Sequence, residues 1–237
     1  MSSDREAPRA IPLFDLERQN VPILEDLLTA VAEVARAQSF VLGSTVADFE
    51  SAVSEYLDVE HAIGVASGTD ALHLSLRLLE LEPGDEVITS PFTFFATAGA
   101  IVYAGGRPVF ADIDPATFNL EPGAVAAALT DRTRAIIPVH LFGQMAEMPP
   151  LLELAGAREL TVIEDVAQSI GAKGLVDGRW AAAGALGATG CFSFYPTKNL
   201  SGWGDGGMIT TNDARIAERL RRLRVHGEDY GSGRSRL

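Results

Sequence analysis

Positive charge is scarce in this chain. Its 237 residues carry 19 Lys plus Arg against 32 Asp plus Glu, a formal net charge of -13 at pH 7. Such a surface repels a phosphate backbone wherever the sign is not locally reversed, so nucleic acid is not an expected partner. The one basic cluster, RLRRLRVHG at 219–227, lies on a helical pattern and reads as a solvated helix face. Cysteine is nearly absent. Cys191 stands alone in an apolar run, which excludes an internal disulfide and fits a packed thiol in a reducing compartment. Long hydrophobic runs are missing too: FFATAGAIVYAGG comes nearest and is short and rich in small residues, so no membrane span is expected. The N-terminal MSSDREAPRAIPLFDL has no apolar signal-peptide region, and a cytoplasmic protein is the expectation. There is no HxxxH and no cysteine pair to hold a metal, and no GxxxxGK[ST] phosphate loop.

What is present is an alternation. Short β-branched runs (AIGVAS, DEVITS, PVFADI, AIIPVH, TVIEDV, CFSFY and GMITT) are separated by stretches of helical spacing at 71–81, 95–105, 122–130 and 148–160. This predicts a three-layer αβα sandwich, a mostly parallel seven-stranded sheet with helices on both faces. LEPGDE, DIDPATFN and TNDAR supply the turn and helix-start residues between them. An N-terminal helical arm, VPILEDLLTAVAEVARAQ, carries an apolar stripe that must cover its own domain or a partner subunit. A last helix at about 213–226 completes a domain over 1–226, and 227–237 reads as a polar, glycine-rich, mobile tail.

Ligands of open α/β sheets bind beyond the carboxyl ends of the strands. Three strand ends carry chemistry. At VASGTDALHLSL, Ser67-Gly68-Thr69 opens a helix whose first N–H groups could hold a phosphate, or merely form an N-cap. At TVIEDVAQS, a strand ends in Glu164-Asp165 followed by Gln168; a buried acid there needs a partner, and the choice lies between a cationic ring nitrogen and a structural cap. At CFSFYPTKNLSGWGDGG, Gly202, Gly204 and Gly207 formally match GxGxxG, but they run into a strand rather than opening a helix, so a dinucleotide fingerprint fails. What remains is Lys198, with Ser193 on the strand before it. A lysine amine becomes a nucleophile toward carbonyls when its surroundings favour the neutral form. Pyridoxal phosphate needs such a lysine, an acid for its ring nitrogen and a phosphate cup.

These residues resemble the DegT/DnrJ/EryC1/StrS group of sugar aminotransferases, with the type I fold of aspartate aminotransferase. The resemblance runs through PLFDL, FVLGSTVADFE, SGTDALHLSL, PGDEVITSPFTFFAT, PVFADIDPATFNL, RAIIPVHLFGQ, VIEDVAQSIGA, FSFYPTKNLSGWGDGG and RVHGEDY. It implies pyridoxal 5'-phosphate as cofactor, with Lys198 as the Schiff-base lysine and proton shuttle, Asp165 on the pyridine nitrogen and Gln168 on the ring hydroxyl. Gly68, Thr69 and Ser193 would bind the phosphate. Phe94 would stack on the ring, with core packing as its alternative. The resemblance further implies glutamate or glutamine as amino donor, a nucleotide-linked keto-sugar as acceptor and a homodimer. A lysine at 198 argues against the related dehydratases, which carry histidine there. GDGG and HLFGQ look more like members that aminate C3 than C4. The family's C-terminal segment and small domain are absent from this sequence, which leaves open a fragment of a longer enzyme, a naturally shortened chain, or a catalytically incompetent chain with a binding or regulatory role. His61, His73, His140 and His226 have no assigned chemistry; His140 could face the site or be structural.

Overall fold

The computed structural model describes residues 11–227. The tail anticipated at 227–237 lies, from Glu228 onward, outside the described residues. The chain divides into two compact units after Gly43. In the first, α1 (Leu16–Asn20) is capped by Asp15, which accepts the Arg18 N–H. A 3-10 turn at Val21–Ile23 precedes α2 (Leu24–Ala37), so the arm helix begins after Pro22, where Ile23 (φ -117°, ψ 11°) breaks the helical path. No residue of α2 is buried.

The second unit opens with α3 (Ser44–Leu57), which periodicity alone did not single out, and then alternates. In chain order come β1 (His61–Val65), α4 (Gly68–Arg77), β2 (Glu86–Thr89), α5 (Phe95–Tyr103), β3 (Arg107–Phe110), α6 (Pro122–Ala128), β4 (Thr133–Ile137), α7 (Met148–Ala157) and β5 (Thr161–Asp165). A hairpin of β6 (Lys173–Val176) and β7 (Arg179–Ala182) follows, then β8 (Thr189–Ser193), β9 (Gly207–Thr211) and α8 (Ala214–Leu223). The seven anticipated strands form one sheet of order β1-β9-β8-β5-β4-β2-β3. β3, β2, β4, β5 and β8 pair in parallel, while β9 runs antiparallel to both β8 and β1. β1 therefore points the same way as the parallel five, and six strands end at one edge. β9 alone starts there.

Both faces of the sheet are covered, and the two-residue pleat divides the core. Ile63, Val87, Ala135, Ile137, Ile163, Cys191 and Ile209 pack with residues of α4, α5 and α8. Their immediate neighbours Ile88, Ile136 and Val162 face the opposite side with α6 and α7, and Ala62, Phe192 and Met208 face that side with α3 and β7. The helix boundaries move from their expected places for local reasons. α4 starts at Gly68 rather than near 71 because Ser67, extended at φ -163°, accepts the Asp70 N–H on its side chain. α7 stops at Ala157, and Glu159 (φ 55°) turns the chain into β5. α8 spans ten residues from its Asp213 cap.

Candidate active site

The carboxyl edge of the sheet encloses a cavity of about 550 Å³. Each sequence-predicted site residue lines it: Gly68, Thr69, Phe94, Asp165, Gln168, Ser193 and Lys198. They arrive from four strand ends separated by up to 130 positions, and the parallel direction of β1, β2, β5 and β8 is what brings them to one place.

The end of the cavity at the start of α4 is built by close backbone approach. The first N–H groups of a helix have no intrahelical acceptor and carry the positive end of its dipole. Ser67 Oγ takes the N–H of Asp70 at 3.0 Å, which leaves those of Gly68 and Thr69 for a ligand. Ser67 is thus the N-cap of α4, and its neighbours Gly68 and Thr69 line the cavity. A Cβ on Gly68 would stand 2.7 Å from Ser193 Cβ, and one on Gly207 would stand 2.3 Å from the Ser67 carbonyl oxygen. Two glycines thus let α4 settle between the end of β8 and the start of β9. The cradle suits a phosphate held by N–H groups and hydroxyls.

The pleat explains why the adjacent acids Glu164 and Asp165 do different things. Glu164 sits on the face of Val162 and is fully buried; its Oε2 is 2.8 Å from His140 Nε2 and accepts the Gly184 N–H, while Oε1 accepts the N–H groups of Leu186 and Gly187. His140 Nδ1 accepts the Ala146 N–H, so Nε2 carries the proton donated to Glu164. Burial pushes the Glu164 carboxyl up, but the hydrogen bonds from His140, Gly184 and Gly187 outweigh it and hold the group below its ordinary value. His140 is structural: it is fully buried on Glu164 and does not line the cavity.

Asp165 sits on the other face, toward α5, with 4% of its surface exposed. Its carboxylate accepts the Thr97 hydroxyl at 2.8 Å and the Ala167 N–H at 3.2 Å. Burial pushes its pKa up, against the smaller opposing effects of these bonds and of the Lys198 charge. Lys198 is held in a turn by its own N–H to Tyr195 O and is only partly exposed. Burial lowers its ammonium pKa, with Asp165 pulling the other way. A lysine drawn toward its neutral form beside an acid is suited to attack a carbonyl. Phe94 occupies the N-cap of α5 with 74% exposure at the cavity, which removes core packing as its role.

Sequence reasoning missed Thr93 and Thr97, which also line the cavity. The signal was available: they stand four apart across the start of a helix, in the same TFFAT stretch that supplied Phe94. Cys191 is buried in β8 against Ser75 Oγ, and burial pushes its thiol pKa up, as a packed rather than reactive thiol requires. Among the described residues no helix is long and apolar enough to cross a membrane, and no cluster of three or more His, Cys, Asp or Glu could hold a metal.

Known proteins are similar to this chain. A "Pleiotropic regulatory protein" of Geobacillus stearothermophilus is 49% identical over 217 residues, 92% of this chain and 57% of its own length. A UDP-N-acetyl-3-dehydro-alpha-D-glucosamine 3-aminotransferase of Acidithiobacillus ferrooxidans is 47% identical, over 92% of this chain and 58% of its own. Among solved structures, NtdA of Bacillus subtilis with bound cofactor PMP superposes with a TM-score of 0.86 at 33% identity, covering 100% of this chain and 52% of that one. The chain thus spans between half and three fifths of the length of these relatives. Residues 22–236 match one family along nearly the whole sequence, and the chain belongs to the DegT/DnrJ/EryC1/StrS aminotransferase family.

Proposed function

We propose that the chain carries the cofactor-binding machinery of a pyridoxal-phosphate-dependent aminotransferase, one that moves an amino group from glutamate or glutamine to a nucleotide-linked keto-sugar at C3 and works as a homodimer. The observation that carries this reading is the convergence of Lys198, Asp165 and the start of α4 on one cavity. Bound there, pyridoxal phosphate would supply an electron sink for moving an amino group between carbonyl carbons. Gly68 and Thr69 N–H groups and the Ser193 hydroxyl would hold its phosphate. Asp165 would accept the ring N–H, Gln168 would meet the ring hydroxyl, and Phe94 would cover the ring and exclude water. Lys198 would hold the cofactor covalently through its amine, water leaving as the bond to the cofactor's aldehyde carbon forms, and once freed would move protons at the reacting carbon. The Acidithiobacillus relative acts at C3 by its name, which supports that position over C4.

The chain has two lysines, Lys173 and Lys198, so the covalent step is easily mapped. Pyridoxal phosphate followed by borohydride should give a stable adduct on the Lys198 peptide and none on Lys173 in β6. Lys198→Ala should abolish it. A reduced adduct persisting in that variant would remove Lys198 from the chemistry. A second reading, a regulatory chain without turnover, is favoured by the name of the Geobacillus relative. Cofactor uptake without any half-reaction with glutamate would select it.

A further inference from the structure

Thr97 Oγ1 lies 2.8 Å from Asp165 Oδ2 and 2.9 Å from Thr93 Oγ1. A hydroxyl has one proton to give. Thr97 gives its proton to the carboxylate, so the bond between the two threonines must be donated by Thr93. The hydrogen bonds therefore run in one direction, from Thr93 through Thr97 to Asp165. Thr97 is 1% exposed and sits in the first turn of α5, while Thr93 lies just before the Phe94 cap, so the pair also closes the backbone step on which Phe94 stands.

Among the described residues Thr97 supplies the only side-chain hydrogen bond to the Asp165 carboxylate; the other donor is the Ala167 N–H. The remaining ionisable neighbours act by charge or not at all. Lys198 reaches toward Asp165 from the loop after β8, His140 after β4 is turned to Glu164, Glu164 itself faces the opposite side of β5, and Cys191 is the residue of β8 in register with Asp165. We propose that Thr97, oriented by Thr93, is the positioning residue that fixes the Asp165 carboxylate in its ionised, accepting form and directs its free lone pairs at the ring nitrogen of a bound pyridoxal cofactor. This inference rests on the cofactor reading above. Burial drives Asp165 toward its neutral form, and the Thr97 bond is the largest effect opposing it. A neutral Asp165 would donate its proton rather than accept one, and the ring nitrogen would lose its positive charge.

The test uses two titrations. In the ligand-free protein with carboxyl-13C aspartate, the Asp165 signal, assigned by its loss in Asp165→Asn, should titrate about one pH unit higher in Thr97→Val, a tenfold change in proton affinity. Thr97→Ser should restore the wild-type value, and Thr93→Val should shift it in the same direction by less. In protein loaded with ring-15N pyridoxal phosphate, the ring nitrogen should lose its proton at lower pH in Thr97→Val than in wild type or Thr97→Ser. A variant that melts at lower temperature but titrates as wild type in both experiments would reduce Thr97 to a structural residue and overturn the inference. If the ligand-free shift is present but wild-type protein takes up no pyridoxal phosphate, the functional reading fails first and the role toward the ring nitrogen falls with it.

Discussion

Asp165 and Glu164 are neighbours on one strand, yet they pull stability in opposite directions. Glu164 offers only acceptors to four donors, the N–H groups of Gly184, Leu186 and Gly187 and the Nε2–H of His140. In Glu164→Gln the amide NH2 must face two donors whichever way it turns, so the substitution should cost about 3 kcal/mol at pH 7. The Glu164 pKa is depressed in the fold. Its stabilisation is therefore fully present above the ordinary carboxylate pKa and is lost as pH falls through the lower folded value. The gap between wild type and Glu164→Gln should close in urea titrations below about pH 4. Asp165 has the reverse sign. Its folded pKa is raised, so the folded state loses stability as pH rises from the ordinary value through the folded one. Asp165→Asn keeps an acceptor for Thr97, gives up the longer Ala167 contact, and should stabilise the cofactor-free protein at pH 7 by on the order of 1 kcal/mol. Equal urea midpoints for the two variants would refute the division of labour. The sequence displays both acids side by side, but which one enters the cavity depends on the phase of the pleat, and that is set by residues far along the chain. The same holds for His140, whose partner lies 24 positions away.

At the level of elements, the glycine run before β9 separates spacing from steric need. Gly202, Gly204 and Gly207 match the dinucleotide fingerprint by count alone. A Cβ on Gly204 meets nothing within 4 Å, whereas one on Gly207 stands 2.3 Å from a backbone oxygen of Ser67. Gly204→Ala should leave melting and ligand affinity unchanged. Gly207→Ala should push the start of α4 off β9, destabilise by about 1–3 kcal/mol and weaken pyridoxal phosphate binding more than tenfold, measured by thermal melts and fluorescence titration. Similar behaviour of the two variants would show that the cradle does not depend on this approach. Strands were legible as β-branched runs because burial on both faces makes them apolar throughout. The β6–β7 hairpin was not read, although its Asp177-Gly178 turn, with φ of 50° and 77°, is the type that joins two-residue hairpins. Its strands hold Leu175 and Trp180 opposite each other and largely exposed, so no core pattern marks them. The antiparallel course of β9 was equally silent, because a buried strand reads the same in either direction.

The whole molecule sets the terms on which a ligand arrives. The chain bears a formal charge of -13, and among the described residues no arginine lines the cavity and Lys198 is its only basic side chain. Recognition of a phosphate there would rest on N–H groups, hydroxyls and a helix dipole whose effect fades within a turn. Far from the cavity mouth, an approaching phosphate dianion meets net repulsion. Near 10 mM salt the screening length is about 30 Å and the entire surface is felt, while near 150 mM it is about 8 Å and only the cavity is. Raising ionic strength across this range should therefore accelerate pyridoxal phosphate uptake about twofold or more, the opposite of the usual response of a cationic phosphate site. Pyridoxal without its phosphate provides the control, since its uptake should be nearly flat in salt. Stopped-flow absorbance of both compounds at matched pH decides the matter. Uptake of the phosphate form that slows with salt would mean that the field of Lys198 and α4 reaches beyond the mouth and outweighs the acidic surface, and the neutral form would still show no trend.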